Sequence, residues 1–440
     1  MSSHDTGLTA RIFRNTGYLL GGKGMAGVLG FANTALAVRA LGLRDYGVLL
    51  LIHACAGSFS VATRFQSWQP LLHFGSTLFA HGEDEGERDR FQTLLRHCFL
   101  LDIAGAAAGC GLALAGVAWF GPVLGWPVAD QGAAMLYMTS ILVMNTCCAL
   151  GVLRLTNRFR QSAMADVAMM LTRLLGTVAG LCLHWSLPAF LAVWYAGTIM
   201  AFSTNSLAAW RAIRDTPSFT GFRILGARWL SRIDGIWRLT LSTSGDQAVS
   251  SLTARMAVLL VGAATDPAAT AIYSVTWHVC DALAQPAQLL TPALYPELIR
   301  LRDRKDWAGM WRVMRRIFLA LGIFSIVALL VAASVGPWVF HSLLAIHRPD
   351  NLPLLMLLTT AAILDLWDVP LEPVLFSLGW AQQLFASRIA ATVLSLPILY
   401  GLAHLWGVDG AGVATLFAEA LILSTRCLPF LRMKRQGLSP

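Results

Sequence analysis

Basic loops alternate along this chain with loops almost free of positive charge, and twelve apolar runs lie between them. Lys and Arg collect at 11–14, 88–96, 154–160, 211–238, 300–316, 388 and 432–435, while the intervening loops clearly hold only Arg44 and Arg348. Each run is long enough to cross about 30 Å of hydrocarbon as a helix. A segment in lipid must satisfy its own backbone hydrogen bonds, so the pattern predicts a helical bundle. By the positive-inside rule the basic loops are cytosolic, which places both termini inside and makes the span count even. The expectation is a multi-pass protein of a bacterial inner membrane.

Composition closes off other classes. Charged residues are 13% of the chain and hydrophobic ones 56%, against roughly 25% charged in soluble domains. The formal net charge of +9 sits at span ends, where it orients the chain and meets anionic headgroups. No basic stripe belongs to a soluble domain, so nucleic acid is not an expected partner. Met1–Ala10 is polar, and the apolar run after it continues to about Val38 without a small-residue cleavage site, so it reads as a retained span. The eight cysteines (Cys55, Cys98, Cys110, Cys147, Cys148, Cys182, Cys280, Cys427) fall in or near apolar runs without metal-ligand spacing, as small packing residues do.

The spans are predicted near 15–38, 46–74, 93–119, 134–153, 164–184, 187–209, 239–263, 271–296, 316–337, 353–378, 389–406 and 409–430. The long cytosolic connection 210–238 separates an N-terminal lobe of six spans, 1–209, from a C-terminal lobe of six, 239–440. Within the connection Phe222, Leu225, Trp229, Ile233 and Ile236 recur at helical spacing, flanked by Arg223, Arg228, Arg232 and Arg238. That pattern fits an interfacial amphipathic helix, and equally a stiff linker. Gly22–Lys23 and Gly245–Asp246 open the first and seventh spans alike, and Leu41–Gly42 and Val261–Gly262 close them, which hints at two parallel repeats. Outer loops are short, about seven residues at 39–45 and fourteen at 120–133.

Ionisable groups within spans cost about 2.5–3.5 kcal/mol each at a helix centre on insertion scales, so they mark partners or wet cavities. Lys23 lies about 12 Å inside the first span at 1.5 Å per residue, and Arg173 sits at similar depth in the fifth. Arg64 and Arg255 sit toward the ends of the second and seventh. These four cations form a ladder suited to an anionic substrate group, or else four separate ion pairs and snorkelling side chains. Asp166 shares a helix face with Arg173, seven residues on. Asp166, Asp246, Asp281 and a stripe at Asp365, Asp368 and Glu372 are candidates for binding a coupling proton or cation. The stripe serves equally well as counter-charge to arginines of a neighbouring helix, and Asp102 as a buried hydrogen-bond acceptor. Pro370 and Pro373 interrupt the tenth span, and Pro286, Pro292 and Pro296 are expected to break the eighth.

The stretch Arg39-Ala-Leu-Gly-Leu-Arg-Asp-Tyr-Gly47 resembles the opening of bacterial polysaccharide and O-antigen flippases. These form the Wzx-like branch of the multidrug/oligosaccharidyl-lipid/polysaccharide (MOP) exporter superfamily. Arg64-Phe-Gln-Ser-Trp-Gln69, Gly235-Ile-Trp-Arg238 and Tyr295-Pro-Glu-Leu298 are similar to motifs of proteins assigned to lipopolysaccharide biosynthesis. The resemblance implies an all-α bundle of about twelve transmembrane helices in two six-helix lobes, V-shaped around a central cavity and working by alternating access. It implies transfer of undecaprenyl-pyrophosphate-linked sugars between leaflets, with Lys23, Arg64 and Arg173 available to a pyrophosphate. Membrane lipids, the lipid-linked oligosaccharide and other polysaccharide assembly proteins are the partners it implies.

Three other readings compete. An ion-coupled multidrug or metabolite exporter would favour the acidic stripe, and Lys23 and Arg173 weigh against it. A polymerase, ligase or lipid-sugar glycosyltransferase would need larger outer loops; His53, His73, His97 and His278 are scattered without a nucleophile motif. An assembly scaffold would explain the topology but not the central charges. No Gly-rich phosphate loop followed by Lys-Ser/Thr is present, so neither ATP nor another cofactor is expected.

Overall fold

The computed structural model describes residues 3–80, 85–216, 235–288, 307–338, 351–371, 374–375 and 381–436, and all its regular elements are helical. In chain order they are α1 (Ser3–Thr63), α2 (Trp68–Ala80), α3 (Glu85–Val123), α4 (Gln131–Met138), α5 (Ile141–Met144), α6 (Cys147–Leu155), α7 (Phe159–Cys182) and α8 (Leu187–Asp215). There follow α9 (Ile236–Ala264), α10 (Pro267–Gln288), α11 (Trp307–Trp338), α12 (Asn351–Asp368) and α13 (Ala381–Gln436). Eight stretches among the described residues are long and apolar enough to cross a membrane. Two of them, Gly21–Ser76 and Ala386–Cys427, each contain two predicted spans. With α10 and α12 added, each predicted span overlaps a helix among the described residues, and the all-α membrane bundle is the fold.

Two joints are tighter than the sequence implied. The first two spans meet at Gly42 (φ 77°, ψ 169°), and the last two at Gly407 (φ 64°, ψ −140°), each inside one long helical element. An L side chain at such a φ costs about 1–2 kcal/mol, which glycine avoids. The loop expected at 39–45 is therefore little more than one residue.

Elsewhere expected spans are interrupted. Residues 64–67 separate α1 from α2 within the run 46–74, and 134–153 is divided into α4, α5 and α6. The polar residues at these places bond to nearby side chains and carbonyls or to another helix instead of continuing the helix. Gln66 N–H donates to Ser244 Oγ (2.9 Å) and Gln66 Oε1 accepts from Trp68 Nε1 (2.8 Å), while Thr139 Oγ1 donates to the Leu136 carbonyl (2.6 Å). The opposite correction applies at Pro286: α10 continues through it to Gln288, since one lost N–H is tolerated within a span. Pro292 and Pro296 lie outside the described residues. The tenth span is interrupted after Asp368 by the turn Val369–Pro370, as expected of Pro370, and Leu371, Val374 and Leu375 are again helical.

By its packing the chain divides into two compact units. Unit 1 is Met1–Leu41 with Ile52–Arg255, and unit 2 is Gly42–Leu51 with Met256–Pro440. Most of the connection predicted to be amphipathic, including Trp229, falls outside the described residues.

Small residues let the helices of each unit approach closely. In unit 1, α7 packs on α8 with Gly176 against Val193 and Gly180 against Phe190. α1 crosses α7 with Gly22 on Ala163, and Thr177 Oγ1 donates to Asn33 Oδ1 (2.7 Å) between two buried side chains. Leu71, Phe91, Leu94, Val152 and Ile236 form a core joining α2, α3, α6 and α9. In unit 2, α12 packs against α10, α11 and α13, with Gly336 and Gly412 against its leucines.

Candidate functional site

Three arginines converge in unit 1. Arg64 is the first residue after α1 and directs its guanidinium back across the interruption. Its Nη2 donates to Ser60 Oγ (3.0 Å) and its Nε to Asn145 Oδ1 (3.0 Å), while Ser60 Oγ donates to the same amide oxygen (3.1 Å). Asn145 stands in the unwound pair before α6. It is buried, and its Nδ2 makes no hydrogen bond among the described residues.

Arg255 lies against Gly57 of α1. A Cβ there would come within 1.9 Å of Arg255 Nη1, so the glycine is the seat of the guanidinium. Arg255 is within electrostatic range of Arg64 and of Tyr137, and Tyr137 in turn is within range of Arg173.

Arg173 is seated in the same way. It is buried against Gly197 of α8, where a Cβ would lie 2.7 Å from its Cγ. Its guanidinium carbon stands 4.6 Å from the Trp194 ring centroid, and Nη2 reaches Thr198 Oγ1 at 3.4 Å. The other edge of this network is His53, whose Nδ1 is 2.7 Å from Tyr137 Oη and whose ring meets Trp194 edge-on at 5.0 Å. Arg255 and Arg173 thus flank one Tyr–His–Trp cluster, and Arg64 is within electrostatic range of Arg255.

Lys23 stands apart from that cluster. It is exposed on α1, and its charge reaches Asp166, exposed on α7. Arg173, on the same helix as Asp166, turns instead toward Trp194 and Thr198 of α8. Asp102 is buried on α3 and accepts from Ser67 Oγ (2.6 Å) and Cys148 N–H (2.7 Å).

Unit 2 holds a different arrangement. Asp368 Oδ2 accepts from Arg426 Nη1 in an ion pair whose side chains are 9% and 2% exposed. Asp365 is half-buried one turn earlier on α12. Glu419 of α13, absent from the sequence-derived candidates, lies within electrostatic range of Asp365, Asp368, Arg426 and Arg388. One turn before it, Thr415 Oγ1 is 2.9 Å from Tyr273 Oη of α10. A signal for Glu419 existed in the sequence: Thr415, Glu419 and Arg426 share one face of an apolar run.

Of the two roles open to the acidic stripe, Asp368 has the geometry of a counter-charge. Glu372 and the Asp246 side chain lie outside the described residues. Asp281 is half-buried on α10 beside Cys280, whose Sγ is 3.4 Å from Thr359 Oγ1. Among the described residues no three His, Cys, Asp or Glu side chains are grouped to hold a metal ion.

The fold has clear counterparts. A multidrug resistance MATE family transporter of the MOP superfamily, in its inward-facing conformation, superposes with a TM-score of 0.71 at 14% identity, covering 94% of this chain and 96% of that one. The lipid II flippase MurJ, in an inward closed conformation, gives 0.68 at 11% identity, over 94% of this chain and 87% of the other. The chain is a multi-pass membrane protein with the fold of MOP superfamily transporters. In sequence it is similar to the inner membrane protein YghQ of Escherichia coli K12, 26% identical over 320 residues, which is 73% of this chain and 89% of the relative. No known family profile matches the chain.

Proposed function

We propose that the protein is an inner-membrane flippase that moves a polyprenyl-pyrophosphate-linked oligosaccharide, an O-antigen or exopolysaccharide repeat unit, between leaflets by alternating access. The observation that carries this reading is the placement of Arg173 and Arg255 beside the Tyr137–His53–Trp194 cluster, with Arg64 within electrostatic range of Arg255. Neither Arg64 nor Arg255 forms an ion pair among the described residues. Guanidiniums that close no ion pair retain a demand for an anion, and their planar forks suit phosphate oxygens.

Moving a glycan and a charged pyrophosphate through hydrocarbon is the costly part of such transport. A cationic, hydrogen-bonding path lowers that cost, while the polyprenyl tail stays in lipid. The fold shared with MOP transporters supports a transport role without chemistry on the protein. The sequence similarity to an inner membrane protein supports that location, with both termini cytosolic by the charge pattern. On this reading residues 1–209 and 239–440 are the two moving halves and 210–238 joins them. Membrane lipids and other polysaccharide assembly proteins complete the set of partners.

A second reading, an ion-coupled exporter of drugs or metabolites, is favoured by the carboxylates Asp365, Asp368 and Glu419 in unit 2. The experiment that separates the two is transport by purified protein in proteoliposomes. The flippase reading expects transfer of labelled undecaprenyl-pyrophosphate oligosaccharide, lost in Lys23→Ala/Arg173→Ala. Gradient-driven efflux of cationic dyes without glycolipid transfer would favour the exporter.

A further inference from the structure

A single carboxylate holds both places where the helices beside Arg64 unwind. Asp102 is 7% exposed on α3. Its Oδ1 accepts from the hydroxyl of Ser67, the residue that ends the 64–67 interruption, and its Oδ2 accepts from Cys148 N–H in the first turn of α6, just past the 145–146 interruption. These two unwound stretches carry Arg64 and Asn145, which meet at 3.0 Å.

α3 comes close enough to do this because it presents glycines to the end of α1. A Cβ at Gly105 would lie 2.4 Å from the Thr63 carbonyl oxygen, and one at Gly109 2.4 Å from Thr63 Oγ1. A carboxylate is the side chain the arrangement calls for. It offers two acceptor oxygens to two donors, where an amide would offer one acceptor and add donors of its own. Its charge is also felt at Arg64, where it offsets the repulsion between Arg64 and Arg255.

We infer that Asp102 is the positioning residue of the arginine site. By fixing the two unwound stretches to α3 it holds Arg64 against Asn145 and Ser60, facing Arg255, without itself meeting the transported molecule. The term site rests on the proposed function; the anchoring of the two stretches does not.

Two measurements on the full-length protein test this. The first needs no ligand. Cys147 and Cys148 are buried at the start of α6, so their labelling by a membrane-permeant maleimide reports how firmly that turn is held. Buried Cys280 of unit 2 serves as the internal control. Asp102→Ala is expected to speed labelling of Cys147 and Cys148 about tenfold, the size expected for losing a charge-assisted hydrogen bond. Asp102→Asn, which keeps one acceptor and guards against a variant that fails to fold, falls between, and Cys280 is unchanged. Equal rates at Cys147 and Cys148 in the wild type and both variants would overturn the anchoring.

The second is a double-mutant cycle on the binding of inorganic pyrophosphate, followed by calorimetry. Asp102→Asn is expected to weaken binding about tenfold when Arg64 is present and to add nothing in Arg64→Ala. The same loss in both backgrounds would show that Asp102 does not act through Arg64. Failure of the wild type to bind pyrophosphate at all would count against the flippase reading alone, with the maleimide rates still deciding the anchoring.

Discussion

Arg64 in unit 1 is half-buried and Arg426 in unit 2 is buried, and the two guanidiniums are held by different kinds of partner. Arg426 meets a carboxylate, Asp368, across two packed helices. Arg173 lies over an indole and reaches a threonine hydroxyl, and Arg64 bonds a serine and an amide. A guanidinium closed by a carboxylate is a structural cross-link whose removal strands the partner's charge. One held on dipoles, as Arg64 is by Ser60 and Asn145, keeps more of its charge available. The glycines sharpen the contrast, since Gly57 and Gly197 have given up their side chains to make room for Arg255 and Arg173.

The largest effect expected from this difference is on stability in unit 2. Arg426→Ala should destabilise the protein by about 3–5 kcal/mol, the usual cost of stranding one member of a buried pair. Replacing both members by Asp368→Leu/Arg426→Met should recover most of it, as read from thermal unfolding in detergent. A stable Arg426→Ala protein would dissolve the distinction between the units. In unit 1, Arg173→Gln should leave the unfolding midpoint within a few degrees of the wild type while lowering glycolipid transfer about tenfold. A large drop in the midpoint with transfer retained would make Arg173 a structural residue like Arg426.

A smaller change is expected from Gly57→Ala. The added methyl would displace the flexible end of Arg255, so transfer should fall several-fold, less than the tenfold expected for losing a whole charged contact. Pyrophosphate affinity should fall in parallel. The smallest structural effect belongs to Glu419→Gln, an isosteric change with no hydrogen bond or ion pair of Glu419 to break among the described residues. Stability should shift by less than about 1 kcal/mol. The dependence of transport on an imposed ion gradient should weaken if the unit 2 carboxylates couple ions, and unchanged dependence would leave them a structural role.

The sequence made the helices and the break at Pro370 legible and left the other interruptions hidden. Each predicted span overlaps a helix among the described residues because hydropathy averages over many residues, and a few polar side chains do not alter the average. Whether Arg64, Gln66 and Ser67 end a helix depends on Asp102, which lies on another span and supplies the acceptor for Ser67. No local pattern contains that information. Arg64, Arg173 and Arg255 could be singled out as charges inside apolar runs, but the meeting of Arg173 and Arg255 at Tyr137 depends on how separate helices cross. The acidic stripe was visible on α12, and its partner Arg426 was not, since a cation near the last span's end reads first as an orienting charge. Glu419 was overlooked although it stands in an apolar run. Gly42 shows the reverse failure, with a seven-residue loop expected where a single left-handed glycine suffices.

The most direct test of the account compares charge removal in the two units within one assay. Transfer of labelled undecaprenyl-pyrophosphate oligosaccharide would be followed in proteoliposomes of Arg64→Gln/Arg255→Gln and of Asp368→Asn/Arg426→Gln, each checked for folding. The account predicts that the first loses transfer while remaining folded, and that the second transfers the glycolipid in proportion to the folded protein it retains. Full transfer by folded Arg64→Gln/Arg255→Gln protein would contradict it.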